Sequence, residues 1–250
     1  MIPVQYQQVH PTIQLLDFVE SFWMLNNSTD EDIDVIVIPD GRIDVSFSYS
    51  ADKPYHVRLN GLENGPVKAV LPRQSTTFAI SFRLLALEYL LNIKVSNLIN
   101  GSQELPLDFL KISPDDLIDF DSWRNKVSTF LIQSVKSKID PRKINLFKMI
   151  YSSNGELTVA SLAKEANWSS RQINRYFNDH FGLPLKAYCN ILRFKTSFRQ
   201  IREGSLYPEQ NFTDQAHFIR EVKRFSGVSP KELSKNQNDR FIQLSVLPRR

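Results

Sequence analysis

The sequence lacks the short motifs that mark most catalytic and metal sites. It has no glycine-rich phosphate loop, no His-Glu-x-x-His pair, no Gly-x-Ser-x-Gly elbow and no paired cysteine ligands. Its four histidines are too scattered for a metal site, and they are His10, His56, His180 and His217. Asp40 and Asp44 are spaced like an acid–base pair, but Asp40 is also needed in a predicted turn. We therefore predict no enzyme activity, no cofactor and no metal ion.

Cysteine and long apolar runs are also scarce. Cys189 is the only cysteine, so the chain forms no internal disulfide, and its neighbours are typical of a helix interior. No uncharged apolar run approaches the roughly 18 residues of a membrane span. The first residues lack the basic and apolar segments of a signal peptide. These absences predict a cytoplasmic protein with no membrane partner.

Each half of the chain is poor in one sign of charge. Residues 1–140 hold 12 Lys and Arg against 18 Asp and Glu, a net charge of −6, whereas residues 141–250 hold 19 against 9, a net charge of +10. This asymmetry predicts a C-terminal half that binds a polyanion and a separate, mildly acidic N-terminal half. The alternative is an ordinary solvated surface on both halves.

One pattern occurs twice in the basic half. Residues 169–188, SSRQINRYFNDHFGLPLKAY, align with residues 214–233, DQAHFIREVKRFSGVSPKEL, at an offset of 45 residues. The alignment places Arg175 on Arg220, Gly182 on Gly227 and Lys186 on Lys231, and it matches the apolar positions as well. A basic helix presented twice at a fixed distance suits a long polymer, so DNA is the first candidate partner.

The first copy carries the boundary signals of two helices. Thr158 is placed to cap one helix, and Ser169 with Gln172 forms a capping box for the next. Gly182 tolerates the left-handed conformation that ends a helix. Two helices joined by a short turn, the second with basic outward positions, match the spacing of a helix-turn-helix unit. A longer helix is predicted from about Leu185 to Arg202.

The acidic half is predicted to form an antiparallel sheet or a small barrel. Asp40-Gly41 is a hairpin signal between an apolar run that ends at Ile38 and an alternating run that begins at Ile43. Further strands are predicted at Phe18–Leu25, His56–Leu59, Val67–Leu71 and Thr77–Phe82. Short helices are predicted at Leu84–Leu91 and Lys94–Asn100.

A connecting helix is predicted between the halves. Apolar residues recur along one helical face at Trp123, Val127, Phe130 and Leu131, and this stripe packs either on its own domain or on a second copy of the chain. Breaks at Pro114 and Pro141 bracket the segment. The predicted organisation is an α+β domain over residues 1–112, a connecting helix over 113–140 and an all-α double helix-turn-helix domain over 141–250, which is expected to fold alone.

These residues resemble a known family. The stretch GELTVASLAKEANWSSRQINRYFNDHFGLPLKAYCNILRF and the second copy of the repeat closely resemble the DNA-binding domain of AraC-type bacterial transcription regulators. VIPDGRIDVSFSYS, AISFR and LLNIKVSNLINGSQELPLDF more weakly resemble the effector or dimerisation domains that precede it. The resemblance implies two helix-turn-helix units whose recognition helices enter successive segments of the major groove.

Outward residues near the start of the first recognition helix are the candidate base contacts. They are Ser170, Arg171, Asn174 and Arg175. Arginine can pair with guanine and asparagine with adenine, and each such pair discriminates bases by about 1–3 kcal/mol. By motif position, the resemblance places Arg171, Asn174 and Arg175 in the groove. The alternative for each residue is a solvated helix face.

The second unit departs from the first. Pro208 falls where its supporting helix should lie, so that helix is predicted to be short or replaced by a loop. Its reading helix, Asp214 to Phe225, presents Gln215, His217, Arg220 and Lys223 as candidate DNA contacts. His217 is interpreted either as a phosphate contact or as a packed residue.

The sequence therefore predicts a DNA-binding transcription regulator with an N-terminal sensor or dimerisation domain. Its predicted partner is double-stranded DNA, and further candidate partners are a small-molecule effector, a second copy of the chain and RNA polymerase. Two alternatives are an enzyme whose N-terminal domain transforms a small molecule and a protein that binds nucleic acid without sequence preference.

Overall fold

The N-terminal half is built around an antiparallel sheet. The computed structural model describes residues 4–136, 138–207, 212 and 214–246. Six strands pair in the order β1-β2-β7-β4-β5-β8, and β3 pairs with β6 in a second, two-stranded sheet. The strands are β1 (Gln5–Val9), β2 (Val19–Asn27), β3 (Ile33–Val37), β4 (Ile43–Tyr49), β5 (His56–Asn60), β6 (Val67–Leu71), β7 (Ser75–Phe82) and β8 (Ser102–Leu105).

The C-terminal half is helical, which confirms the predicted fold class. A short helix, α1 (Leu84–Ala86), continues into a π-helical turn at Leu87–Leu91. The other α-helices are α2 (Phe120–Ser134), α3 (Pro141–Ser152), α4 (Val159–Glu165), α5 (Ser170–Phe181), α6 (Leu185–Thr196), α7 (Phe198–Arg202), α8 (Gln215–Ser226), α9 (Pro230–Lys235) and α10 (Ile242–Ser245). Short 3₁₀ turns lie at Ile13–Leu15, Phe109–Lys111, Pro114–Ile118 and Gln237–Asp239. Within the described part of the chain, every helix is too short or too polar to cross a bilayer.

The predicted hairpin at Asp40-Gly41 is wrong. The two strands that flank it belong to different sheets, because β3 pairs with β6 whereas β4 pairs with β5 and β7. Gly41 does adopt a positive φ of 76°. The Asp40 side chain, however, accepts hydrogen bonds from Arg42 in a connection that crosses from one sheet to the other. An Asp-Gly pair permits a tight turn but does not force the strands on either side to pair.

The connecting helix α2 packs on its own sheet. Asp119 caps it by accepting a hydrogen bond from the backbone of Ser122. The buried Trp123 ring lies 6.1, 5.8 and 5.4 Å, centroid to centroid, from three aromatic rings of the sheet, those of Phe22, Phe47 and Phe78. Of the two alternatives for the apolar stripe, the structure thus selects packing within the chain.

Only one of the two short helices predicted after β7 forms. Residues 84–91 are helical, but residues 94–100 form turns. The turn segment uses its backbone in tertiary contacts, since Val95 N donates to the carbonyl of His180 at 2.9 Å. The prediction of a helix at Lys94–Asn100 is therefore wrong, because long-range contacts outweigh its local helical pattern.

The two halves of the chain share one continuous core. Buried Phe241 lies beside β3, where Ile36 N donates to the carbonyl of Arg240 at 2.6 Å. The Gln243 side chain exchanges two hydrogen bonds with the backbone of Ile38, at 3.1 and 2.8 Å. The end of the chain thus supports a strand near its beginning.

Candidate nucleic-acid interface

The first helix-turn-helix unit forms as its sequence predicts. Thr158 caps α4 by accepting a hydrogen bond from Ser161 N at 3.1 Å. Ser169 Oγ accepts from Gln172 N at 3.2 Å, while Gln172 Oε1 accepts from Ser169 N at 3.0 Å. This reciprocal pair confirms the predicted capping box. The helix it opens, α5, ends at Gly182, whose φ of 78° confirms the predicted left-handed stop.

The rear of α5 is held in the core by aromatic residues. Ile173, Tyr176, Phe177 and Phe181 are buried. Phe147 of α3 packs against this side, with its ring centroid 5.8 Å from that of Phe177. The opposite side of the helix therefore faces outward.

The front of α5 presents two arginines. Ser170, Arg171 and Arg175 are exposed. Among the described residues, neither guanidinium group forms a hydrogen bond or an ion pair. Both cations are therefore available to an external anion or to the edge of a base.

Asn174 is placed differently from the two arginines. It is half-buried, its Nδ2 donates to the carbonyl of Ser170 at 3.1 Å, and its Oδ1 accepts from Leu185 N at 3.2 Å. The Nδ2 bond stays within α5, whereas the Oδ1 bond connects α5 to the first turn of α6. To contact a base, the Asn174 amide would have to replace these hydrogen bonds with bonds to DNA.

The second unit repeats the reading helix, and its support is described only in part. Asp214 caps α8 by accepting a hydrogen bond from His217 N at 2.7 Å, and the helix ends at Gly227 with a φ of 76°. The preceding helix, α7, spans only five residues, and residues 203–207 are not helical. The predicted shortening of the support centres on Pro208, which lies outside the described residues, so it stays a prediction.

The outer side of α8 carries three of its four predicted contacts. Gln215, Arg220 and Lys223 are exposed. His217 is half-buried, and its ring lies 5.7 Å, centroid to centroid, from that of Phe212. The geometry favours the packed interpretation of His217 over the phosphate contact.

The repeat in the sequence is a repeat in the structure. Both α5 and α8 contain 12 residues, both begin at a side-chain cap and both end at a glycine with φ near 77°. Lys186 and Lys231, which the alignment superimposes, are exposed near the starts of the next helices, α6 and α9. The match is visible in the sequence, but only the helix limits show Lys186 and Lys231 to be a pair of equivalent cations beside the reading helices.

Tyr176 and Glu88 support the rear of α5, and the sequence did not indicate this role. Tyr176 Oη donates a hydrogen bond of 3.0 Å to Glu88 Oε2 of the N-terminal half. Burial, and then the nearby Glu88 carboxylate, raise the pKa of Tyr176 well above its usual range, so its hydroxyl remains a donor. No local motif marks a contact between residues 88 positions apart.

The Cys189 thiol and the Asp44 carboxyl are buried groups outside the predicted DNA-binding surface. Burial raises the pKa of Cys189 to about 12, which makes it an inert thiol, as its neighbours predict. In the N-terminal half, burial raises the pKa of Asp44 to about 6, although the nearby Arg42 lowers it. Across the described ranges, no three potential metal-ligating side chains converge.

Two families match parts of the chain. Residues 162–236 match a family described as a helix-turn-helix domain, a match that begins inside α4 and ends just after α9. Residues 7–104 match a family described as a domain of unknown function (DUF6597). The two matches fall on the helical half and on the sheet half.

The chain is also similar to solved structures of ToxT from Vibrio cholerae. Unsaturated fatty acid bound wild-type ToxT from strain SCE256 is 13% identical, with 93% of this chain and 94% of that chain covered and a TM-score of 0.40. ToxT from strain O395 is 11% identical, with 92% and 96% covered and a TM-score of 0.39. At this sequence identity and TM-score, no residue role and no ligand of ToxT is assigned to this chain. No curated protein matches the chain.

Proposed function

We propose that this chain is a DNA-binding transcription regulator of the AraC type and that α5 and α8 read duplex DNA. The match of residues 162–236 to a helix-turn-helix family supports a regulator rather than an enzyme. The observation that carries this proposal is the structural repeat. Two 12-residue helices, capped and ended alike, present exposed cations on their outer sides. Each helix has the size and polarity to enter a major groove.

The first reading helix makes the main base contacts. Arg171 and Arg175 are one helical turn apart on its exposed front, and Ser170 stands at its first turn. An arginine in this position pairs with guanine O6 and N7. Asn174 acts mainly as a brace between α5 and α6, and its contact with bases is secondary.

The second reading helix contributes more to affinity than to base discrimination. Arg220 and Lys223 are exposed cations on α8, with Gln215 near its start, but the described part of the support before this helix is short. Lys186 and Lys231 supply matching phosphate contacts beside the two helices. Phosphate contacts fix the position of a protein on DNA without reading its sequence.

The N-terminal half acts as a sensor or partner-binding domain without chemistry of its own. Its shared core with the helical half supports this role, because a ligand or partner bound there would act on the DNA-binding helices directly. The candidate partners are a small-molecule effector, a second copy of the chain and RNA polymerase. Since the apolar stripe of α2 is buried on its own sheet, a homodimer would use another surface. A transcription regulator of this type works in the cytoplasm, where the DNA is.

Selection of binding sites from random duplex DNA tests the proposal. Full-length protein is incubated with the pool and excess unspecific competitor, and bound sequences are enriched over several rounds. Enrichment of a motif with two parts, about one helical turn apart, supports two reading helices. Uniform binding without a motif would favour non-specific attachment instead, and absence of binding would contradict the proposal.

A further inference from the structure

One carboxylate connects the N-terminal half to two helices of the C-terminal half. Glu88, on the π-helical turn after α1, accepts hydrogen bonds from Lys143 Nζ at 2.6 and 2.7 Å through its two oxygens. One of these oxygens also accepts from Tyr176 Oη at 3.0 Å. Lys143 belongs to α3 and Tyr176 to α5, so the carboxylate holds both helices at once.

This contact is enclosed. The side chain of Lys143 is only 12% exposed and that of Glu88 is 26% exposed. The Lys143 ammonium also lies 4.4 Å from the centroid of the Tyr176 ring, where a cation–π interaction adds to the ion pair. Charge-assisted hydrogen bonds sheltered from water are stronger and better oriented than exposed ones.

Tyr176 is positioned to set the rotation of the reading helix. It is buried on the rear of α5, next in sequence to Arg175 on the front. Because successive residues of an α-helix differ by about 100° around its axis, fixing Tyr176 fixes the direction of Arg175 and Arg171. The N-terminal half thereby determines where these arginines point.

The same half also holds the end of α5. Val95 N donates to the carbonyl of His180 in the last turn at 2.9 Å. In the second unit, the position equivalent to Tyr176 is Glu221, which pairs with Arg224 of its own helix at 3.6 Å. The tyrosine link is therefore a property of the first reading helix and not of the repeat.

We propose that Glu88 is a positioning residue for DNA recognition, which fixes the orientation of α5 through Tyr176 and so aligns Arg171 and Arg175 with the bases. This inference rests on the proposed role of α5 as a reading helix. It makes the N-terminal half part of the recognition machinery, even though its residues lie behind the helix that meets DNA.

Three full-length variants test the link. Tyr176→Phe removes the hydroxyl and keeps the ring, and Glu88→Gln removes the charge and keeps the shape. Tyr55→Phe is the matched control, because its half-buried hydroxyl donates to the carbonyl of Ile112 at 3.3 Å, within the N-terminal half. Each is compared with the natural protein by amide hydrogen exchange and by the ratio of affinities for a selected site and for competitor DNA.

We expect Tyr176→Phe and Glu88→Gln each to lower the affinity ratio by about tenfold and to speed amide exchange in α5 more than in α8. Tyr55→Phe should leave both measurements unchanged. The double variant Glu88→Gln/Tyr176→Phe should lose no more discrimination than Glu88→Gln alone, because Glu88→Gln already removes the charge that holds both Tyr176 and Lys143.

Three outcomes would overturn the inference. They are an unchanged affinity ratio in both single variants, exchange that speeds equally in all helices, and losses that add in the double variant. If Tyr176→Phe does not fold, the exchange pattern and affinity ratio of Glu88→Gln decide alone. If the natural protein itself selects no motif, the proposed function fails, and the exchange pattern still shows whether Glu88 holds α5.

Discussion

The carbonyl oxygen of Ser96 lies directly against the α-carbon of Gly182, the residue that ends α5. A β-carbon built on Gly182 would come within 2.4 Å of that oxygen, which is closer than any side chain tolerates. The first reading helix and the N-terminal half are therefore in contact at a position where only glycine fits.

Gly182→Ala should destabilise the protein strongly. The positive φ of 78° alone costs a residue with a β-carbon about 1–2 kcal/mol, and the contact with Ser96 adds about 1–3 kcal/mol. Gly204→Ala is the matched control, because Gly204 has a similar φ of 84° but no atom of the described residues within 4 Å of the new β-carbon. Urea unfolding of both variants measures the difference. Equal losses would mean that the contact with Ser96 is easily relieved.

Arg175→Ala and Arg220→Ala should affect DNA binding in different ways. We expect the first to cost about 1–3 kcal/mol on the preferred site and to relax base preference at one position. The second should weaken binding to all sequences by similar factors, because the described part of the support before α8 is short. Site selection with both variants checks this ranking, which is wrong if Arg220→Ala erases more sequence preference.

DNA binding by the full-length protein should weaken steeply with salt. Each phosphate neutralised by a lysine or arginine contributes about −0.9 to the slope of log affinity against log salt concentration. Lys231→Ala should make this slope shallower by about one unit while leaving the selected motif unchanged. A fragment that starts at Pro141 should retain the salt dependence but be less stable, because it exposes buried residues such as Tyr188, whose hydroxyl donates to the carbonyl of Gly41 at 2.9 Å. Binding that does not respond to salt would contradict the polyanion interface.

Asp44 should make stability depend on pH in the acidic range. Burial raises its pKa from 3.8 to about 6, and its Oδ1 has no hydrogen-bond partner among the described residues. The folded state thus favours the protonated carboxyl, and this stabilisation is fully present below pH 4 and is lost as the pH rises through about 6.

Unfolding of Asp44→Asn at several pH values tests this dependence. We expect the free energy of unfolding of the variant, relative to the natural protein, to rise between pH 4 and pH 7. Asp34→Asn, on an exposed position of β3, controls for the loss of one negative charge. A difference between Asp44→Asn and the natural protein that does not change with pH would show that Asp44 does not titrate in this range.

Sequence signals that act between residues close together in the chain correctly predicted helix limits and strand faces. Ser169, Gln172 and Gly182 define the limits of α5 through bonds to their own neighbours, so tertiary context cannot easily override them. The same holds for the alternation of buried and half-buried residues in β4. The resemblance to AraC-type regulators then supplied the function, which the fold alone would not identify.

Features that depend on residues far apart in the sequence were not predicted correctly from local patterns. Asp40-Gly41 specifies a backbone conformation but not the partner of each strand, and these strands enter different sheets. The edge strand β1, QYQQV, has no apolar alternation and was missed. The role of Asn174 as a base contact stays a prediction, and no local signal indicated that its amide oxygen also accepts a hydrogen bond from Leu185 N, 11 residues away.

The closing contacts of Gln243 with Ile38 have a consequence for biosynthesis. These residues are separated by 205 positions. The backbone N–H of Ile36 in β3 also donates a hydrogen bond to the carbonyl of Arg240. The ribosome therefore has to synthesise the chain as far as Gln243 before the small sheet can acquire these hydrogen bonds, and pairing across such a distance is slow. A product truncated before Arg240 would lack these contacts to β3 as well as α10.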